Sequence, residues 1–210
     1  MIAISNQPKV VIFDVFGTLL EIGKQHHPYL LLMRHLRVQG RQPQADDSRT
    51  ILTFDGSQAE LAAHLGTTVS ADQLATCEAA LQSDLNCIAC FNDVADTFAA
   101  LHQRGCRIAI CSNLAQAYGA KVMDLLPDAD VYAMSYQLGH IKPEAQIYQY
   151  VLDKLNLAAS DCIFIGDSAY ADRDGAKAMG MDGRLLDRLN GQQLKDLLAD
   201  VLLGCCCGTL

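Results

Sequence analysis

The chain has 210 residues, enough for one substantial core and a modest second module, and half of them are apolar against 19% charged, which excludes a disordered chain. A formal net charge of -8 without any Lys/Arg-rich stretch excludes nucleic acid as the main partner, because phosphate-backbone binding needs a clustered basic surface. No apolar run approaches the roughly 20 residues needed to span a bilayer, and the first residues lack the order of a signal peptide, so no membrane partner and a cytoplasmic location are expected.

Residues 9–13 form a short run rich in Val and Ile that ends in Asp14 and a Gly17-Thr18 turn signal, the pattern of a buried parallel strand. The stretch that follows carries no strand pattern but shows helical periodicity over 28–38, 57–65 and 71–85. It reads as a small all-helical insert placed to overhang the carboxyl end of the first strand as a lid. Asp93 is positioned to cap a helix over 94–104 that stops at Gly105, and Pro143 to open a second helix over 144–155.

Further strand patterns fall at 107–111, 131–134, 162–165 and, more weakly, 183–186. Strands alternating with helices make βαβ units, hence a parallel sheet covered on both faces, with ligands at the carboxyl ends of its strands. The expected fold is α/β: a Rossmann-like three-layer sandwich built from 1–20 and 88–210, plus a small all-α cap over 21–87.

The nine cysteines are odd in number and lie mostly in apolar segments, which suits reduced thiols. Cys87 and Cys90 form a lone CxxC without a second pair or a His cluster, and read as buried small side chains. Cys207-Gly-Thr-Leu210 has the form of a prenylation box, but no polybasic second signal precedes it, so Cys205, Cys206 and Cys207 read as a thiol-bearing tail.

The polar residues that follow the strands are Asp14-Val-Phe-Gly-Thr18, Ser112-Asn113, Lys142-Pro143 and Gly166-Asp167-Ser168, with Asp172 and Asp174 shortly after. Each alone is an ordinary turn or surface residue. Together they make a chemical set. A carboxylate at a strand tip beside Gly17 is open to a substrate, and covalent capture splits one hard displacement into two easier ones, so Asp14 is the nucleophile candidate. The hydroxyls of Thr18 and Ser112, with the amides around Gly17 and Asn113, offer a cradle for an anion. Lys142 brings a compact positive charge, while Asp167 and Asp172 add the hard oxygen donors that suit Mg²⁺.

In this order and spacing the four motifs resemble those of the haloacid dehalogenase superfamily of hydrolases, a group dominated by phosphatases, over the whole sheet-forming part of the chain. The resemblance implies a hydrolase of a small phosphorylated metabolite with Mg²⁺ held by Asp14, the main-chain carbonyl of Phe16 and Asp167, with Asp172 close or bridging through water. Asp174 is left as a residue that favours a helix N-terminus.

The pattern departs from the family at one position. Its phosphatases usually carry a second Asp two residues after the nucleophile, to protonate the leaving oxygen, and this chain has Phe16 there. Losing a positioned acid-base group typically removes about 10² to 10⁴ in rate. Family dehalogenases have an aromatic residue at that point, so the alternative is a 2-haloacid dehalogenase, with Arg34, Arg37 or Arg41 of the insert binding the haloacid carboxylate and Tyr148 following Lys142. A solvated helix face is the plainer reading of the arginines, and Arg41 is retained as a substrate-binding candidate beside Phe16, Gly17 and Asn113. Asp167 argues against the dehalogenase. A weakened member that binds phosphate or a metabolite without turnover is the third reading, and oligomeric state has no signal in the sequence.

Overall fold

In a computed structural model, which describes residues 8–203, the apolar runs pair into one five-stranded parallel sheet. The strands of the chain are β1 (Val10–Phe13), β2 (Leu20–Ile22), β3 (Ile88–Cys90), β4 (Arg107–Ser112), β5 (Val131–Met134), β6 (Cys162–Gly166) and β7 (Asp182–Leu185). The large sheet runs β5-β4-β1-β6-β7, with every neighbouring pair parallel. All four residues of β1 are buried, as a central strand covered on both faces requires. From β1 the chain builds outward through β4 and β5 on one side, then returns to β6 and β7 on the other. The order therefore reverses beside β1, and a crevice opens there at the carboxyl ends.

The helices are α1 (Pro28–Val38), α2 (Asp47–Thr53), α3 (Gln58–His64), α4 (Ala71–Asn86), α5 (Val94–Gln103), α6 (Gln116–Leu125), α7 (Ser135–Leu138) and α8 (Ala145–Leu155), with shorter turns after them. Alternate residues of each strand point to opposite faces. Val11 and Phe13, with Ile108 and Ile163, meet Phe98 and Leu101 of α5 and Val122 of α6. Val10 and Ile12, with Ala109 and Phe164, meet Ile147, Tyr148 and Val151 of α8. The result is the expected three-layer α/β sandwich. Full burial of each such side chain contributes about 1.5–3 kcal/mol, far more than any local strand preference over four residues.

Helices α1 to α4 lie between β2 and β3 and share a third apolar cluster built on Leu32, Leu36, Leu61 and Cys77. Ser57 with Glu60 and Ser70 with Gln73 close capping boxes that start α3 and α4.

Four expectations are corrected. The stretch after β1 does contain strand: β2 and β3 pair antiparallel at the two ends of the helical insert, and at three residues each they are too short for alternation to register. Asp93 precedes α5 but does not cap it, because its carboxylate accepts instead from Arg188 Nη1 and the Leu194 amide, both at 2.8 Å. Pro143 lies outside α8, in a cis Lys142–Pro143 peptide, and the helix begins at Ala145. Cys87 is exposed at the C-terminal cap of α4, and Cys90 is only half-buried because β3 belongs to a two-stranded ribbon. Among the described residues all cysteines are free thiols, and no helix is long and apolar enough to cross a membrane. Cys205, Cys206 and Cys207 lie outside the described residues.

Candidate functional site

Three strand ends and one loop converge on a cavity of about 220 Å³. Asp14 follows β1, and its amide donates to the Ile165 carbonyl at 2.9 Å, which ties it to β6. Ser112 is the last residue of β4, Asp167 the first after β6, and Lys142 lies in the loop between α7 and α8. Asp172 comes from the π-helical turn Ala169–Asp174, where its Oδ2 accepts from the Ser168 amide at 2.9 Å.

Lys142 is buried between two carboxylates, with Nζ 2.6 Å from Asp14 Oδ1 and 2.7 Å from Asp172 Oδ1, and 5.3 Å above the centre of the Phe164 ring. Ser112 Oγ donates to the same Asp14 Oδ1 at 3.1 Å. One oxygen of Asp14 is thus held by two donors, while no described side chain donates to Oδ2. The backbone around Lys142 is fixed by Asn113, whose Nδ2 donates to the Lys142 carbonyl at 3.0 Å and whose Oδ1 accepts from the Lys142 amide at 2.6 Å.

The charges do not balance. Oxygens of Asp14, Asp167 and Asp172 lie within 4.8 Å of one another, opposed by one ammonium. Burial opposes the charge on Lys142, but Asp14 and then Asp172 outweigh it and hold its pKa above the usual lysine value. Partial burial, then Asp14 and Asp172, push Asp167 up to about 6. Burial likewise raises Asp172 against the pull of Lys142. Two glycines make this crowding possible: a Cβ on Gly17, at φ +80°, would stand 2.1 Å from Asp167 Oδ2, and one on Gly166 would stand 2.2 Å from Asp172 Oδ2.

Of the residues singled out from sequence, Asp14, Phe16, Ser112, Asn113, Lys142, Asp167 and Asp172 line this cavity. Thr18 does not. It is fully buried with its hydroxyl unpartnered, and its carbonyl accepts from Arg188 Nη2 at 2.7 Å. Gly17 faces a neighbouring hollow on the far side of Asp167. Arg41 is not at the cavity either, because Asp47 in the first turn of α2 takes its guanidinium from two sides and the Leu65 carbonyl accepts from Nε at 3.2 Å. Arg34 and Arg37 are exposed, Tyr148 is sealed in the core with its hydroxyl on the Ala171 carbonyl, and Asp174 is paired with Arg173 at the surface.

A second cavity, of about 340 Å³, is larger than the charged one and was not visible in the sequence. It lies between the insert and the core, shares Phe16 and Asn113 with the first, and is walled by Tyr29, Ile51, Asp84 and Tyr118. Asp84 Oδ1 accepts from the His26 amide at 2.6 Å and Oδ2 from the Tyr118 hydroxyl at 3.0 Å. These partners come from separate elements with no short motif to link them.

The sequence matches the family described as haloacid dehalogenase-like hydrolase over residues 8–180. Among curated proteins it is similar to ribulose-1,5-bisphosphate 5-phosphatase of Halopiger xanaduensis, 29% identical over 127 residues, or 59% of this chain and 53% of that one. The chain thus spans about half the length of the curated relative it matches. Its fold is shared with a HAD phosphatase from Thermococcus onnurineus, with TM-score 0.60 and 21% identity over 93% of this chain and 98% of that one. It is shared too with a HAD family enzyme of Bacteroides thetaiotaomicron in complex with magnesium and inorganic phosphate, with TM-score 0.64 and 14% identity over 90% and 98%.

Proposed function

The chain belongs to the haloacid dehalogenase-like hydrolases, and from that membership we propose that it is a Mg²⁺-dependent phosphatase of small phosphorylated molecules that works through an aspartyl-phosphate on Asp14. The observation that carries the reading is the convergence of Asp14, Ser112, Lys142 and Asp167 on one cavity from four separate chain segments.

Oδ2 of Asp14 is the attacking oxygen, since Oδ1 is engaged by Lys142 and Ser112. Attack on phosphorus forms the O–P bond, and the ester bond to the leaving oxygen breaks. Lys142 stays charged throughout, orients the carboxylate and offsets negative charge as it builds on the phosphoryl oxygens. Asp172 holds Lys142 from behind, and Asn113 fixes its backbone, so both are positioning residues. Water then cleaves the O–P bond, releasing phosphate and restoring Asp14.

The three carboxylates suit a divalent cation: they are hard donors, close together, and carry more negative charge than Lys142 neutralises. Asp14, the Phe16 carbonyl and Asp167 would hold Mg²⁺, with Asp172 beside them, and the ion would supply positive charge against the phosphoryl group. Similarity to a bisphosphate phosphatase supports phosphomonoester chemistry without carrying over that substrate. We assign 21–87 to a cap and the remainder to the catalytic core.

Asp14→Asn is expected to lower kcat by at least about 10⁴. Chelation should abolish turnover in the unmodified protein, and acid-quenched enzyme should carry a phosphoryl group on Asp14 by mass spectrometry. Turnover that survives both the substitution and the chelator would remove the proposal. Phe16 favours a second reading, the 2-haloacid dehalogenase; halide release from a haloacid, insensitive to chelators, is its signature.

A further inference from the structure

We propose that the second cavity holds the leaving group of the substrate, and that this group is an aromatic ring without a second negative charge, so that the preferred substrates are aryl phosphate monoesters. The inference rests on the phosphatase reading above and adds the substrate class to it.

Continuity comes first. Phe16 and Asn113 wall both cavities, so a phosphoryl group set against Asp14 sends the substituent on its ester oxygen past Phe16 into the larger space. That space has aromatic walls: Phe16 meets Tyr118 edge-on at 5.7 Å between ring centres, and Tyr29 lies 6.3 Å from Tyr118. Ile22, Leu30, Ile51 and Leu114 are among the aliphatic residues that fill out the lining. Its volume, about 340 Å³, falls at the small end of ligand pockets, roughly 300–1,000 Å³, and suits a single ring with a short substituent.

The charge of the walls is the second observation. Among the described residues no Lys or Arg lines this cavity, and the one carboxylate that does, Asp84, has its side chain only 3% exposed. Its partners are the His26 backbone and ring and the Tyr118 hydroxyl. Burial and then Asp84 raise Tyr118 above the usual phenol value, so it remains a neutral donor to Asp84 and offers no positive charge. Gln25 and the exposed His27 are the remaining polar groups of the insert on this wall, so a second phosphate or a carboxylate entering here would meet like charge at Asp84 with no Lys or Arg to receive it.

Phe16 supplies the third. An alkoxide leaving group needs a proton that Phe16 cannot give, whereas a phenolate leaves without one. The step balances as ArO–PO₃²⁻ plus Asp14 carboxylate giving aspartyl-phosphate plus ArO⁻, which takes a proton from solvent. Water then converts aspartyl-phosphate to inorganic phosphate and free Asp14. The walls built by Tyr29, Ile51 and Tyr118 and the acid missing at Phe16 select the same chemistry.

The test measures kcat/KM with Mg²⁺ for phenyl phosphate, 4-carboxyphenyl phosphate, a hexose monophosphate and a pentose bisphosphate. Phenyl phosphate should exceed both sugar phosphates by at least about 100-fold and the carboxylated ester by about tenfold. Leu30→Arg puts a cation on the cavity wall at a side chain already 46% exposed, where it does not threaten folding. It should close the gap between the two aryl esters by about tenfold. Because aryl esters are intrinsically more reactive, a binding arm uses phosphonates: phenylphosphonate should bind at least about tenfold more tightly than methylphosphonate by calorimetry. Equal affinity of the two phosphonates, sugar phosphates turned over as well as phenyl phosphate, or an aryl gap unmoved by Leu30→Arg would each overturn the inference while leaving a phosphatase in place. Absence of turnover with every ester would remove the phosphatase reading, and the phosphonates alone would then decide what the cavity prefers.

Discussion

The two cavities that meet at Phe16 are built on opposite physical terms. The one at the strand ends is small, polar and crowded: three carboxylates share it with a single buried ammonium, and its geometry is set by the ends of the most buried strands in the chain. The one under the insert is larger and mostly apolar, with one buried carboxylate and walls taken from the insert on one side and the core on the other. Chemistry in the first depends on placement to within tenths of an ångström, which a sheet provides. Selectivity, which we assign to the second, depends on shape and charge, which a helical insert can vary without moving the sheet. Phe16 belongs to both, so on the proposed reading one side chain bears on the rate and on what is accepted.

Lys142→Met should break the first region most severely. Removing one partner of a buried ion pair costs about 3–5 kcal/mol because the other charge is left unpaired, and here two carboxylates are left. Thermal unfolding should show that loss, and the fraction that folds should turn over about 10² to 10³ more slowly. A variant of unchanged melting temperature would mean that Asp14 and Asp172 find another partner and that Lys142 does not organise the site.

Phe16→Asp tests the boundary between the regions. It restores an acid where Phe16 stands, so hydrolysis of a hexose phosphate should rise by about 10- to 100-fold while phenyl phosphate, which does not need the proton, changes little. A rise of equal size for both esters would place the missing function elsewhere than in leaving-group protonation.

What the sequence disclosed follows the same division. β1, β4 and β6 were legible because strands buried on both faces read as continuous apolar runs, β5 was legible as a short apolar run at the sheet edge, and Asp14, Ser112 and Asp167 were legible because they end or directly follow those runs. Asp14, Ser112, Lys142 and Asp167 could thus be named before their distances were known. The insert gave up α1, α3 and α4 through periodicity but hid α2, which has no buried residue and hence no apolar stripe. The pairing of Arg41 was hidden for that reason, since its partner Asp47 opens the helix that carries no periodicity. Asp84, Tyr118 and His26 were hidden more deeply: Asp84 stands 34 positions from Tyr118 and 58 from His26, and no periodicity brings them together.

Asp167→Asn sets function against stability inside the first region. The carboxylate is pushed up to about 6 by burial and by its two acidic neighbours, so near neutral pH its charge works against the metal-free fold. The amide should therefore raise metal-free stability by less than about 1 kcal/mol, given the exposure of the group. The same change should abolish the rise in melting temperature expected from Mg²⁺ on the proposed reading. Stabilisation without loss of the Mg²⁺ effect would take Asp167 out of the metal set.

The smallest effect concerns how the second region is closed. Arg49 of α2 reaches across to the turn before α8, where its Nε lies 2.7 Å from Glu144 Oε1 and its Nη2 donates to Glu144 Oε2 at 3.1 Å and to the Gly139 carbonyl at 2.9 Å. The pair joins the insert to the segment that carries Lys142, so it restrains the cavity roof from outside. Arg49 first, against the opposing effect of burial, and then His140 lower Glu144 from 4.5 to about 2, a folded-state value below the unfolded one. The stabilisation is therefore complete above about pH 4.5 and is lost as pH falls toward about 2. Exposed pairs contribute about 0–1 kcal/mol, so Arg49→Ala should lower stability by no more than that at neutral pH and by nothing measurable near pH 2. If the roof depends on this latch, the same variant should raise KM for phenyl phosphate several-fold with kcat unchanged, because the proposed chemistry sits on the sheet and only the proposed binding of the leaving group sits under the insert.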